Sequence, residues 1–210
     1  MSKGLRTRRE IVNTALTMAL DVGLEGVTLG TLATELDLSK SGLFAHFRSK
    51  EALQLAVVAE AEAWFALTVV RPALALPRGE PRVQGLFEGF LRWVRGEIRA
   101  ESADERPPAL GGNRCIFMAL AEEYDDRPGD VRDALVRAQR AWRATIERAC
   151  RLAVDEGHFR RDVDPTQFAF EFMGVVMTFK HSLKLLEDDD AEPRARVAFG
   201  GLLARSRAVA

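Results

Sequence analysis

The chain has 210 residues, 47% hydrophobic and 29% charged, the composition of a globular protein rather than a disordered or fibrous one. Thirty Lys and Arg stand against 31 Asp and Glu, a net charge of -1, so the whole chain is no polycation. Residues 1–50 nevertheless hold seven basic and five acidic side chains, +2, which leaves -3 for the rest and permits a local cationic surface on an N-terminal module. The two cysteines, Cys115 and Cys150, lack the close spacing of a zinc or thioredoxin-type motif, which points to a reduced, cytoplasmic protein. No apolar stretch follows the basic N-terminus as in a secretory signal. The greasiest run, Phe168 to Phe179, contains Glu171 and falls short of the roughly 20 residues that span a bilayer, so a soluble protein with no membrane partner is expected.

In chain order, Ile11, Val12, Ala15, Leu16, Ala19 and Val22 recur at helical spacing before Gly23, predicting a helix over 6–22 with a left-handed stop. Thr28 caps a short second helix whose apolar face is Leu29, Leu32, Ala33 and Leu36; Asp37 and Leu38 make a tight connection, and Ser39 caps a third helix over 39–46. Ser49 caps a long fourth helix running through Leu53, Val57, Trp64 and Leu67 to Pro72. The stretches 72–81 and 101–113 are rich in Pro and Gly and predict loops. Further helices are predicted near 82–100, 114–124, 129–156, 165–187 and 192–207, the last but one opened by Asp164, Pro165 and Gln167 as N-cap, N1 and N3 residues. Nothing reads as strand, so the fold class is all-α.

Three short helices in the first 47 residues, the second and third nearly abutting, form the pattern of a helix-turn-helix module, whose second helix enters the DNA major groove. In Ser39-Lys40-Ser41-Gly42-Leu43-Phe44-Ala45-His46-Phe47, Leu43 and Phe47 are spaced to face a small core, leaving Lys40, Ser41, Phe44 and His46 outward. Lysine and serine at a helix start can donate to guanine edges or phosphates, and Gly42 would let the backbone approach closely. On periodicity alone, a three-helix docking module with merely solvated charges fits as well.

The run Thr28-Leu29-Gly30-Thr31-Leu32-Ala33-Thr34-Glu35-Leu36-Asp37-Leu38-Ser39-Lys40-Ser41-Gly42-Leu43-Phe44-Ala45-His46-Phe47-Arg48-Ser49-Lys50-Glu51-Ala52-Leu53 resembles the TetR/AcrR-type helix-turn-helix transcriptional regulators. The resemblance is strong over residues 6–55; beyond them only the number, length and order of helices match. It implies a homodimeric DNA-binding repressor, with a helix-turn-helix domain over 1–50 and an effector-binding and dimerisation domain over 51–210. By matching position it implies DNA contacts at Thr28, Lys40, Ser41, His46 and Lys50, the last two mainly through phosphate. The family often has Tyr where this chain has Phe44, so that hydroxyl's phosphate bond is absent here, and Phe44 is left to pack on a sugar or a thymine methyl.

Two further sets are candidates. Phe172, Val176, Phe179 and Leu183 lie on a helix apolar around most of its circumference, which requires burial on more than one side; a dimer interface is expected there, the alternative being one large core. Trp64, Phe87, Phe90, Phe117 and Trp142, spread over the middle helices, would suit a mostly apolar effector pocket, the alternative being ordinary core packing. Asn113, Arg114 or His181 could supply its polar groups. No metal-binding, phosphate-loop or nucleophile motif is present, so no cofactor, metal or catalytic residue is expected. The reading is a ligand-responsive repressor released from palindromic double-stranded operator DNA by a small apolar or aromatic effector; the alternative is a helical small-molecule-binding protein or enzyme whose N-terminal bundle is a docking module.

Overall fold

The computed structural model describes residues 3–97 and 115–208. The helices are α1 (Lys3–Val22), α2 (Leu29–Glu35), α3 (Lys40–His46), α4 (Lys50–Phe65), α5 (Arg71–Ala75), α6 (Glu80–Arg95), α7 (Ile116–Tyr124), α8 (Asp130–Asp155), α9 (Pro165–Lys184) and α10 (Ala191–Ser206), with a π-helical turn at Ala66–Val70. Among the described residues there is no strand, only a single antiparallel bridge between Phe159 and Arg207. The loop predicted at 101–113 lies outside them, as do Asn113 and Arg114.

Local signals set most of these ends. Gly23 (φ 74°) and Gly157 (φ 74°) are left-handed just past α1 and α8, where a side chain would be strained. Asp164 accepts the Thr166 amide at 2.8 Å and Ser49 accepts that of Ala52 at 3.0 Å, as N-caps do. Gln167 does not complete a capping box; its amide donates to Glu171, one turn on.

Two predicted ends move. Helix does not stop at Pro72 but runs to Ala75, so the loop shrinks to residues 76–79. The π turn explains this: the Arg71 amide reaches back five residues to the Ala66 carbonyl, and the widened turn receives a proline that lacks the donor an ordinary helix needs. Helix α6 starts two residues earlier than predicted, with Pro81 in its first turn, and ends at Arg95 because Gly96 (φ 71°) turns left-handed and the Glu97 amide bonds the Arg92 carbonyl at 2.9 Å.

The chain divides into two compact units: residues 1–64 with 99–138, and residues 65–98 with 139–210. In the first, Ile11, Ala15, Leu16, Leu24, Leu32, Leu43, Phe47, Leu53 and Val57 form the core under α1–α4. The second is held by aromatic contacts: Phe87 stacks on Phe199 (3.9 Å between ring centroids), and Phe172 meets Phe87, Phe199 and Trp142 edge to face at 5.7–6.1 Å. An ion-pair chain, Glu97–Arg95–Glu192–Arg196–Glu88, ties α6 to α10 in that unit.

The run Lys50–Ala75, 26 residues with mean hydropathy 1.5 over its most apolar window, exceeds the 168–179 stretch in apolar length and is long enough to cross a bilayer. Eight of its apolar side chains, Leu53, Val57, Val58, Ala61, Trp64, Phe65, Val69 and Ala73, are buried in the folded chain.

Candidate nucleic-acid interface

The helix-turn-helix is built from interlocking caps. The Thr28 hydroxyl accepts the Thr31 amide at 3.0 Å while Thr31 Oγ1 accepts the Thr28 amide at 3.1 Å, a reciprocal box in which threonine stands where glutamate is usual. At the other end of α2, Asp37 adopts φ 51°, and the Leu38 amide returns to the Ala33 carbonyl at 2.9 Å. The chain thereby turns into α3 within four residues, Asp37 taking the position usually given to glycine. Ser39 Oγ accepts the Gly42 amide at 3.1 Å and starts α3. Gly42 is exposed, and a Cβ there would stand 3.1 Å from the capping Ser39 Oγ, so this glycine keeps the cap uncrowded.

On α3, Leu43 and Phe47 are buried, and Lys40, Ser41 and Phe44 are exposed on the opposite side. Phe44 is 50% exposed, a large apolar side chain held out into solvent. Thr28 is exposed at the start of α2, and His46 is half-buried at the end of α3. The structure therefore brings Thr28, Lys40, Ser41, Gly42 and Phe44 onto one small module with a shared core.

Lys50, which the resemblance implies as a phosphate contact, is paired within the chain. Its ammonium donates to the Glu25 carbonyl at 2.6 Å and to Glu25 Oε2 at 2.7 Å. The same carboxylate accepts Tyr124 Oη–H at 2.8 Å and the Gln54 amide at 2.9 Å. The hydrogen bonds from Lys50, Tyr124 and Gln54 hold the Glu25 carboxyl down at about 2, while burial and the hydrogen bond to Glu25 push the Tyr124 phenol up. Sequence reasoning missed this cluster, together with Arg8 over the Phe47 ring at 4.7 Å and Arg9 over the Trp64 ring at 5.7 Å.

The two C-terminal residue sets fare differently. Phe90 stacks on Trp142 at 6.2 Å between centroids, and Phe172 meets both Phe87 and Trp142 edge to face, all in the second unit; Trp64 and Phe117 belong to the first. Leu183 is half-buried, and Phe172, Val176 and Phe179 are fully buried in a single chain. The core of the second unit consumes them, because α10 and α6 pack over that stripe of α9. Other apolar groups of α9 lie on another face, with Phe170 71% and Met177 50% exposed, and on α10 Val197 is 77% exposed. His181 is exposed. Cys115 and Cys150 are buried, and burial pushes the Cys150 thiol up to about 12, far from a reactive thiolate.

Residues 11–57 match the family model for bacterial regulatory proteins of the tetR family, and residues 79–199 match that for the tetracyclin repressor-like C-terminal domain. The HTH-type transcriptional regulator TcmR of Streptomyces glaucescens is 29% identical over 135 residues, 64% of this chain and 54% of TcmR, so the chain spans about half the length of the curated relative it matches. A TetR transcriptional regulator from Chloroflexus aurantiacus J-10-FL superposes with TM-score 0.78 at 24% identity, covering 100% of both chains. A TetR-family regulator from Cytophaga hutchinsonii gives 0.76 at 19% identity, covering 100% of this chain and 99% of the other. AibR, solved with isovaleryl coenzyme A and operator DNA, gives 0.65 at 22% identity over 93% of this chain and 95% of its own. With its N-terminal module and more than half its length matched by these models, the chain belongs to the TetR family of bacterial regulatory proteins.

Proposed function

We propose that the protein is a dimeric repressor that binds palindromic double-stranded operator DNA through α3 and is released by a small apolar or aromatic effector. The observation that carries this reading is α3 itself: a helix capped at Ser39 and anchored by Leu43 and Phe47, with Lys40, Ser41 and Phe44 exposed on its outer side. The 1–50 module supplies the DNA contacts, Lys40 and Ser41 to base edges or phosphates, Phe44 to a thymine methyl, and Thr28 and His46 to the backbone. Lys50 has three ammonium donors; Glu25 takes two and the third is left for a phosphate. AibR, solved with operator DNA and isovaleryl coenzyme A, is a precedent on this fold for operator DNA and an effector together.

A second copy of the chain covers the open face of α9 and α10. Phe170 and Met177 are exposed on α9, and a groove of about 750 Å³ runs between the two helices, lined by Gly174, Val175, Thr178, Ala195, Ala198 and Leu202. An isologous contact uses the same patch on both partners and places two α3 helices about one DNA turn, roughly 34–36 Å, apart or a multiple of it. The effector pocket draws on the remaining 51–210 segment, where Phe90 and Trp142 stack, and the protein works in the cytoplasm beside the chromosome.

Selection of a duplex from a random-sequence pool, followed by titration at several salt concentrations, tests the reading. A preferred palindromic duplex whose binding weakens linearly in log salt supports it. Failure to retain any duplex at low salt refutes it in favour of the docking-module reading.

A further inference from the structure

The backbone of the turn between α1 and α2 is held from a helix about 100 residues away in sequence. Glu123, at the end of α7, accepts the Leu24 amide at 2.9 Å through one carboxylate oxygen and the Glu25 amide at 2.7 Å through the other. Gly23 serves this contact twice: its φ of 74° suits glycine, and a Cβ there would stand only 3.1–3.3 Å from the Glu123 carboxylate. Next to it, Tyr124 donates to Glu25 Oε1 at 2.8 Å and lies 3.1 Å from the Gln54 amide nitrogen on α4. Glu25 in turn binds Lys50, the first residue of α4. The α1–α2 turn, α4 and α7 thus meet at one carboxylate pair within one unit.

The stability of α7 does not account for these residues. Glu122, Glu123, Asp125 and Asp126 crowd its C-terminal end, where the helix dipole favours cations, so a carboxylate at 123 costs α7 stability unless it has a partner. The partner is the pair of turn amides. Glu123 and Tyr124 also lie within the part of the chain matched by the C-terminal family model, outside the helix-turn-helix match.

We propose that Glu123 and Tyr124 are positioning residues for DNA binding: they fix the α1–α2 turn and, through Glu25, the Lys50 ammonium, without touching DNA themselves. The inference rests on the DNA-binding reading above and adds to it two residues that no helix-turn-helix pattern contains.

The test compares wild type, Glu123→Gln and Tyr124→Phe, as full chains, on the duplex that wild type selects from a random pool. Loss of one hydrogen bond to a charged group corresponds to about a tenfold change in an equilibrium constant. Glu123→Gln is expected to bind the duplex about tenfold more weakly and Tyr124→Phe several-fold more weakly, with the salt slope lowered by at most the single charge of Lys50. A purely stabilising role moves the melting midpoint and leaves the affinity of the folded protein unchanged; that result overturns the proposal. Should Glu123→Gln fail to fold, Tyr124→Phe, which removes one oxygen, decides the matter on the same comparison. A wild type that selects no duplex overturns the DNA-binding reading and the inference with it, whereas variants that bind as well as a binding wild type overturn the inference alone.

Discussion

Glu25 makes the acid stability of the N-terminal unit predictable. Its carboxyl is lowered from an ordinary 4.5 to about 2, first by Lys50 and then by Tyr124 and Gln54. A group whose folded value lies below its unfolded one contributes stability that is complete above the unfolded value and is lost as pH falls through the folded one, here between about 4.5 and 2. At about 1.36 kcal/mol per tenfold the full difference would be about 3 kcal/mol. The side chain is 41% exposed, however, so solvent screening reduces this to about 1 to 1.5 kcal/mol. Glu25→Gln removes the charge and keeps the size. Chemical unfolding of wild type and variant from pH 7 to pH 2 should show the variant less stable by that amount at pH 7, with the gap closing below pH 4. A gap that is constant across this range, or absent at pH 7, refutes the linkage.

Three other outcomes are expected. Leu43→Ala empties the small core beneath α3 and should cost about 2 to 5 kcal/mol of the first unit's stability, read by thermal unfolding, whereas Lys40→Ala leaves stability unchanged and costs about 1 to 3 kcal/mol of discrimination at one operator position; equal melting points for Leu43→Ala and wild type would contradict the assigned core. Met177→Asp with Val197→Asp should give a folded monomer in sedimentation, while Phe172→Asp should unfold the second unit because it charges a fully buried core position; a persistent dimer in the first variant places the interface elsewhere. An apolar effector that favours the DNA-free state must itself bind more weakly to operator-bound protein by the same factor, typically 1 to 3 kcal/mol; equal affinities for both forms exclude coupling.

How far the sequence reaches depends on the range of the interaction. Helix ends were legible where a cap or a left-handed residue acts within four positions: Gly23, Thr28, Asp37, Ser39, Asp164 and Gly157 all stand where the pattern puts them. The division of α3 into buried Leu43 and Phe47 and exposed Lys40 and Phe44 follows from the 3.6-residue period and needs no neighbour to be known. Gly96 and the π turn before Pro72 are local too, but a glycine inside a helical pattern and a proline at its end have more than one backbone solution, and packing chose between them.

Tertiary structure alone decided which side of an all-round apolar helix is core. On α9 the periodicity offers Phe172, Val176 and Phe179 as readily as Phe170 and Met177, and only the arrival of Phe87 and Phe199 makes the first set interior and leaves the second open. The pairing of Lys50 with Glu25, and of Glu25 with Tyr124, lies equally beyond the sequence. The partners are 25 and 99 residues apart, and a charged side chain carries no mark of which distant group will share its desolvated site. Short-range rules of geometry act on the chain itself and can be read from it, whereas burial and charge pairing are properties of surfaces that exist only once the helices have packed.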